Sequence, residues 1–100
     1  MSDILITLLS PRALDERVLN ALLRTASIAF ISTTPAALHG LPTDTMTQSE
    51  QVLGHARATE MRWVMDDSRL PALLDSLEKE FAGSGLRYWT TPVLVSGEFK

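Results

Sequence analysis

The pattern of this 100-residue chain predicts an α+β fold, with four strands and two helices in the order β-α-β-β-α-β. Three observations carry that expectation. Short runs rich in apolar and β-branched residues stand at four places, starting with Ile4 to Leu9. Two stretches repeat their apolar residues at the helical period of 3.6. A polar segment without lysine or arginine, residues 34–54, divides the two halves.

Each element follows from its residues. Ile4 to Leu9 reads as a buried strand. Ser10-Pro11 then reads as a helix start, with the serine as cap and proline's fixed φ suited to the first helical position. Leu14, Val18, Leu22 and Ala26, widened by Leu19 and Ala21, form one stripe and are expected in the core. Ile28 to Thr33 reads as the second strand. Thr34 to Gly54 reads as a long loop, since it holds two prolines, two glycines and four threonines. Within it, Thr47 and Glu50 have capping-box spacing, and Gly54 can close the short helical turn they open.

Arg57 to Met65 is the expected third strand, with Thr59, Met61, Trp63 and Met65 on one face. Ser68 is the expected cap of the second helix, in which Leu70, Leu73, Leu74, Leu77 and Phe81 form the stripe ended by Gly83. Arg87 to Thr90 opens the last strand, Pro92 interrupts it, and Val93-Leu94-Val95 is expected to resume an extended tail. The economical assembly is a ferredoxin-like sandwich, a four-stranded antiparallel sheet with two helices on one face, in one domain spanning 1–100. Helices would cover only one sheet face. Ile4-Leu5-Ile6, Ile28-Ala29-Phe30-Ile31 and Val93-Leu94-Val95 are apolar on both, so the other face is expected to meet further copies of the chain.

Composition narrows the function classes. Hydrophobic residues make up 45% of the chain, and net charge is −3 from 9 basic and 12 acidic residues. No global positive field is available to draw the chain to nucleic acid or an anionic membrane. Absence of cysteine excludes disulfides, thiolate zinc sites and a cysteine nucleophile. The N-terminal stretch carries Asp3 where a signal peptide needs basic residues, and no segment approaches membrane-spanning length, so a cytoplasmic protein without membrane insertion is expected.

Several activities of this topology fail on chemistry. Arg57 to Trp63 lacks the aromatic pattern of an RNA-recognition strand, so no nucleic-acid partner is expected. An acylphosphatase-like site needs a placed asparagine, and the one asparagine, Asn20, lies mid-helix. Asp66-Asp67 adjoins a helix start, where capping explains it, and no serine or threonine has a base at a readable spacing. No catalytic residues, and no enzyme, are expected.

Glu60 to Phe99 resembles the second half of the nitrogen-regulatory PII-like superfamily: strand, leucine-rich helix, glycine turn, aromatic strand, Pro92-Val93 and Gly97-Glu98. Ser49-Glu50-Gln51-Val52-Leu53-Gly54 and Tyr88-Trp89-Thr90-Thr91-Pro92-Val93 resemble a small PII-like family of unassigned function, often encoded beside proteobacterial heavy-metal efflux pumps. The resemblance implies a homotrimer with ligand clefts between subunits. It also implies a loop at 34–54, matching the T-loop, that touches a partner such as an efflux or other membrane-transport protein. Gly83-Ser84-Gly85 matches the turn that in PII proteins approaches nucleotide phosphates. PII proteins carry a lysine after that turn, where this chain has Leu86, with Arg87 one step later on the opposite strand face.

The candidate ligand residues are His39, Gly40, Glu50, Gln51, Gly54, Gly83, Gly85, Arg87 and Trp89. For metal, His39 and His55 bracket the loop with Met46 between them, and imidazole and thioether suit Cu(I), Zn(II) or related ions. Solvated loop histidines, a capped helical turn and ordinary turn glycines are the plainer readings of the same residues. The expected function is a PII-like sensor that binds a small effector or metal ion, the cofactor itself being unspecified. A CutA-like divalent-metal protein and a purely structural adaptor are the alternatives.

Overall fold

A computed structural model describes residues 2–100. Its sheet has the order β2-β3-β1-β4, and every neighbouring pair is antiparallel. The strands are β1 (Asp3–Pro11), β2 (Ser32–Leu38), β3 (Ala56–Asp66) and β4 (Arg87–Pro92). The long helices α1 (Asp15–Leu23) and α3 (Leu70–Phe81) cover one face, giving the expected ferredoxin-like sandwich. A short helix, α2 (Gln48–Leu53), lies between β2 and β3.

The core follows the pleat. Ile6 and Leu8 pair with Trp63 and Met61 in the ladder, so all four point to the helix face. They pack with Val18 and Leu22 of α1 and Leu73 and Phe81 of α3. The Trp63 indole N–H would be costly if left unpaired at this depth, and it donates to Met65 Sδ at 3.3 Å. At the rim Arg17 lies 5.4 Å above the Phe81 ring, and Arg24 reaches Glu80 at 4.0 Å, tying α1 to α3.

Four boundaries differ from the sequence expectation. Strand β1 continues pairing through Pro11, so Ser10 is a buried strand residue whose Oγ donates to Pro11 O at 3.0 Å. It caps nothing; a 3-10 turn at Arg12–Leu14 leads into α1 instead. Helix α1 ends at Leu23, which leaves Ala26 exposed outside the stripe. Before α3, Asp66 rather than Ser68 is the capping group, its Oδ1 accepting from Ser68 N at 2.9 Å.

The second strand is displaced by several residues. Ile28 to Ile31 forms no strand: Ile28 inserts into the core as a connector, and Phe30 is 74% exposed. Pairing with β3 runs from Ser32 to Leu38, through Pro35. A proline is tolerated there because β2 is an edge strand. The expected extended tail after Pro92 is also absent. Val93 N–H donates to Asp3 O at 3.1 Å, and beyond it Leu94 and Val95 are 95% and 90% exposed.

The face without helices carries Leu5, Thr7 and Leu9 of β1, Glu60, Arg62 and Val64 of β3, and Trp89 of β4. Thr7 lies between Arg62 and Trp89 across the two ladders and is almost wholly covered. Glu60 and Arg62 form an ion pair at 3.4 Å. Only the first of the three apolar runs expected to line this face belongs to the sheet.

Candidate functional site

The loop between β2 and β3 has a definite internal construction. Leu38 pairs with Ala56 in the ladder, so His39 and His55 occupy the next rung, opposite each other at the loop's neck. Their ring centroids are 5.3 Å apart, with the planes tilted by 45°. Gly40 follows with a φ of 85° and turns the chain away. A 3-10 turn at Thr43–Thr45 precedes α2.

Helix α2 starts with the capping box its spacing predicts. Thr47 Oγ1 accepts from Glu50 N–H at 3.2 Å, and Glu50 Oε1 accepts from Thr47 N–H at 3.0 Å. Glu50 Oε2 accepts from the Arg57 N–H, which fastens α2 to the start of β3. These backbone hydrogen bonds, that from Arg57 first and then that from Thr47, stabilise the carboxylate and hold its pKa below the ordinary glutamate range. Gln51 Nε2 donates to Thr43 O at 2.9 Å and Met46 O at 3.2 Å, closing the 3-10 turn against the helix. Gly54 ends α2 at a φ of 82°, a conformation that favours glycine.

Beneath this loop lies a cleft of 390 Å³. The ends of β1 and β2 (Leu9, Pro11, Leu38) form one side, and Glu50 with Arg57 forms another. The Gly83-Ser84-Gly85 turn and Arg87 complete it. At Gly85 a side chain would meet Pro11 Cγ at 3.9 Å, ordinary contact, so the φ of 88° rather than space is what favours glycine there. Each Glu50 oxygen accepts one backbone N–H, and the lining sets this carboxylate beside the side chains of two arginines, Arg57 and Arg87. A second hollow of 320 Å³, apolar and lined by Leu74, Leu77, Phe81, Leu86 and Tyr88, lies between α3 and β4.

Residues 1–100 match the model of a family described as "Protein of unknown function (DUF3240)". The chain belongs to the DUF3240 family. A crystal structure of a DUF3240 protein from Shewanella baltica is similar to it at a TM-score of 0.81 and 14% identity, covering 100% of this chain and 99% of that one. A chain described as a putative PII-like signalling protein from Thermus thermophilus aligns at a TM-score of 0.64 and 15% identity, covering 93% of this chain and 91% of that one. A functionally unknown protein from Pediococcus pentosaceus aligns at 0.64 and 13% identity, covering 99% of both chains. These likenesses show the fold. Among curated proteins none matches the chain.

In this DUF3240 chain the cleft brings together four of the residues singled out in the sequence: Glu50, Gly83, Gly85 and Arg87. His39 and His55 pair with each other at the neck. Gln51 and Gly54 serve the internal structure of the loop. Trp89 lies on the open sheet face, 48% exposed, and its neighbour Tyr88 faces the helix side at the apolar hollow without entering the core. Arg57 was missed as a site residue. Its signal was available: it is the first cation after a stretch of more than twenty residues without one, and so the nearest positive charge to the loop. Among the described residues no helix is long and apolar enough to cross a membrane, and no cluster of three or more metal-ligating side chains occurs.

Proposed function

We propose that this DUF3240 protein is a non-enzymatic, PII-like signalling protein of the cytoplasm, which binds a small anionic effector and passes its occupancy to a partner. The supporting observation is the cleft: Arg57, Arg87 and the Gly83-Ser84-Gly85 turn all line it beneath the loop. Guanidinium groups with a close backbone suit a phosphate- or carboxylate-bearing ligand. Both arginines are exposed, and in the proposed assembly a neighbouring subunit of a homotrimer completes the site. Residues 39–55 present the outer surface to the partner, for which a heavy-metal efflux component is the proposed class. Exposed Val52 and Leu53 on α2 supply apolar contact there.

Native mass spectrometry with ATP, ADP, cyclic nucleotides and inorganic phosphate tests this reading. A trimer taking up one anion per subunit is the expected result. A charge-assisted contact is worth about 1.5–3 kcal/mol, so Arg57→Ala or Arg87→Ala should weaken binding about 10- to 150-fold. A trimer that takes up no anion leaves a structural adaptor as the better reading. A monomer overturns the assembly.

A further inference from the structure

The structure contains a second arrangement that the anion cleft does not use. The two histidines are the only ones in the chain and lie sixteen positions apart. The β2–β3 register nevertheless places them opposite each other, one rung past Leu38 and Ala56. We propose that His39 and His55 form a two-imidazole clasp for a divalent transition ion of the zinc, nickel or copper(II) class, closing the neck of the 40–54 loop. The proposal stands independently of the anion cleft, which shares neither residue.

Distance supports it. With Zn–N bonds of about 2.0–2.1 Å, and ring centres about 1.2 Å beyond the nitrogen, two imidazoles on one tetrahedral ion have centroids about 5.2 Å apart. The observed separation is 5.3 Å. The two rings already stand side by side just beyond the last paired rung, Leu38 with Ala56. The described residues offer no third carboxylate or imidazole to form a cluster with this pair. The ion therefore keeps two positions for water or an exogenous ligand, an open coordination sphere rather than a sealed structural site. Neutral imidazole is the intermediate ligand that these ions favour over calcium or magnesium, which take oxygen.

The ion would tie the two ends of the loop, adding a cross-link where the ladder stops. Its effect is localised: α2 keeps its own capping box and its tie to Arg57.

Zinc titration of the whole protein by calorimetry, with the two histidine side chains followed by NMR, provides the test. One ion per chain is expected, with the resonances of both His39 and His55 moving together and calcium producing no shift. Even groups behind a metal ligand change affinity by about 10- to 100-fold, so His39→Ala and His55→Ala should each weaken binding by at least about tenfold. Hydrogen exchange at the loop neck should slow in the zinc-loaded wild type. Zinc uptake that shifts neither histidine, or that survives the double substitution undiminished, overturns the proposal, as does an absence of uptake. The wild-type NMR reading decides the matter even if a variant fails to fold.

Discussion

Glu50 shows how one side chain can determine a local conformation. One oxygen closes the capping box and the other holds the backbone of Arg57, so the carboxylate joins helix to strand. Its folded pKa lies below the ordinary value, so the stabilisation is present above the glutamate range and is lost as pH falls through the folded pKa. Asp66 behaves in the same direction, because hydrogen bonds from the Ser68 backbone and hydroxyl favour its ionised form. Hydrogen exchange of residues 48–53 should therefore accelerate below the usual carboxylate range, and a Glu50→Gln variant should lose that pH dependence. At neutral pH, Thr47→Ala should cost about 0.5–2 kcal/mol of α2 stability, seen as faster exchange confined to that helix. Uniform loss of protection across the sheet would contradict this assignment.

At the scale of elements, periodicity was legible where one principle acted alone. The stripes of α1 and α3, apart from Ala26 and Leu74, and the alternation of Met61, Trp63 and Met65 are recovered in the core. Leu22, wholly buried in α1, should accordingly cost about 2–5 kcal/mol when truncated to alanine, measured by denaturant unfolding. Where two principles competed, the local signal lost. Pro35 pointed to a loop, yet an edge strand accommodates it, and the apolar Ile28 to Ile31 became a connector instead. Ser10-Pro11 had the composition of a helix start, but the long ladder with β3 keeps it extended. The candidate site was half legible for a related reason. Glycines and Arg87 announce a turn in sequence, whereas Arg57 is marked there only as the first cation after the loop, and its place in the cleft lining emerges with the fold.

For the whole molecule, the radius of gyration is 14.8 Å, above the roughly 13 Å typical of a compact chain of this length. The excess reflects projecting parts, including the exposed segment after Val93. The open sheet face combines Leu5, Leu9, Val64 and Trp89 with the Glu60–Arg62 pair, and Trp89 and Val64 remain 48% and 36% exposed. If this face joins the copies of a trimer, a Trp89→Glu substitution introduces an unpaired charge there. Sedimentation should then show a smaller species, with far-UV circular dichroism unchanged. An unaltered assembly would place the contact on another surface, such as the apolar hollow beside Tyr88.

The hydrogen bonds of Gln51, Thr47 and Glu50 have a thermodynamic consequence for any encounter made through Val52 and Leu53. A segment that is unstructured when free loses backbone and side-chain entropy at the moment of contact, and its affinity per unit of buried area falls accordingly. Here that entropy has already been surrendered during folding. A partner therefore meets a small preformed body beyond His39 and His55, and association should proceed with little unfavourable entropy and little change in helical content.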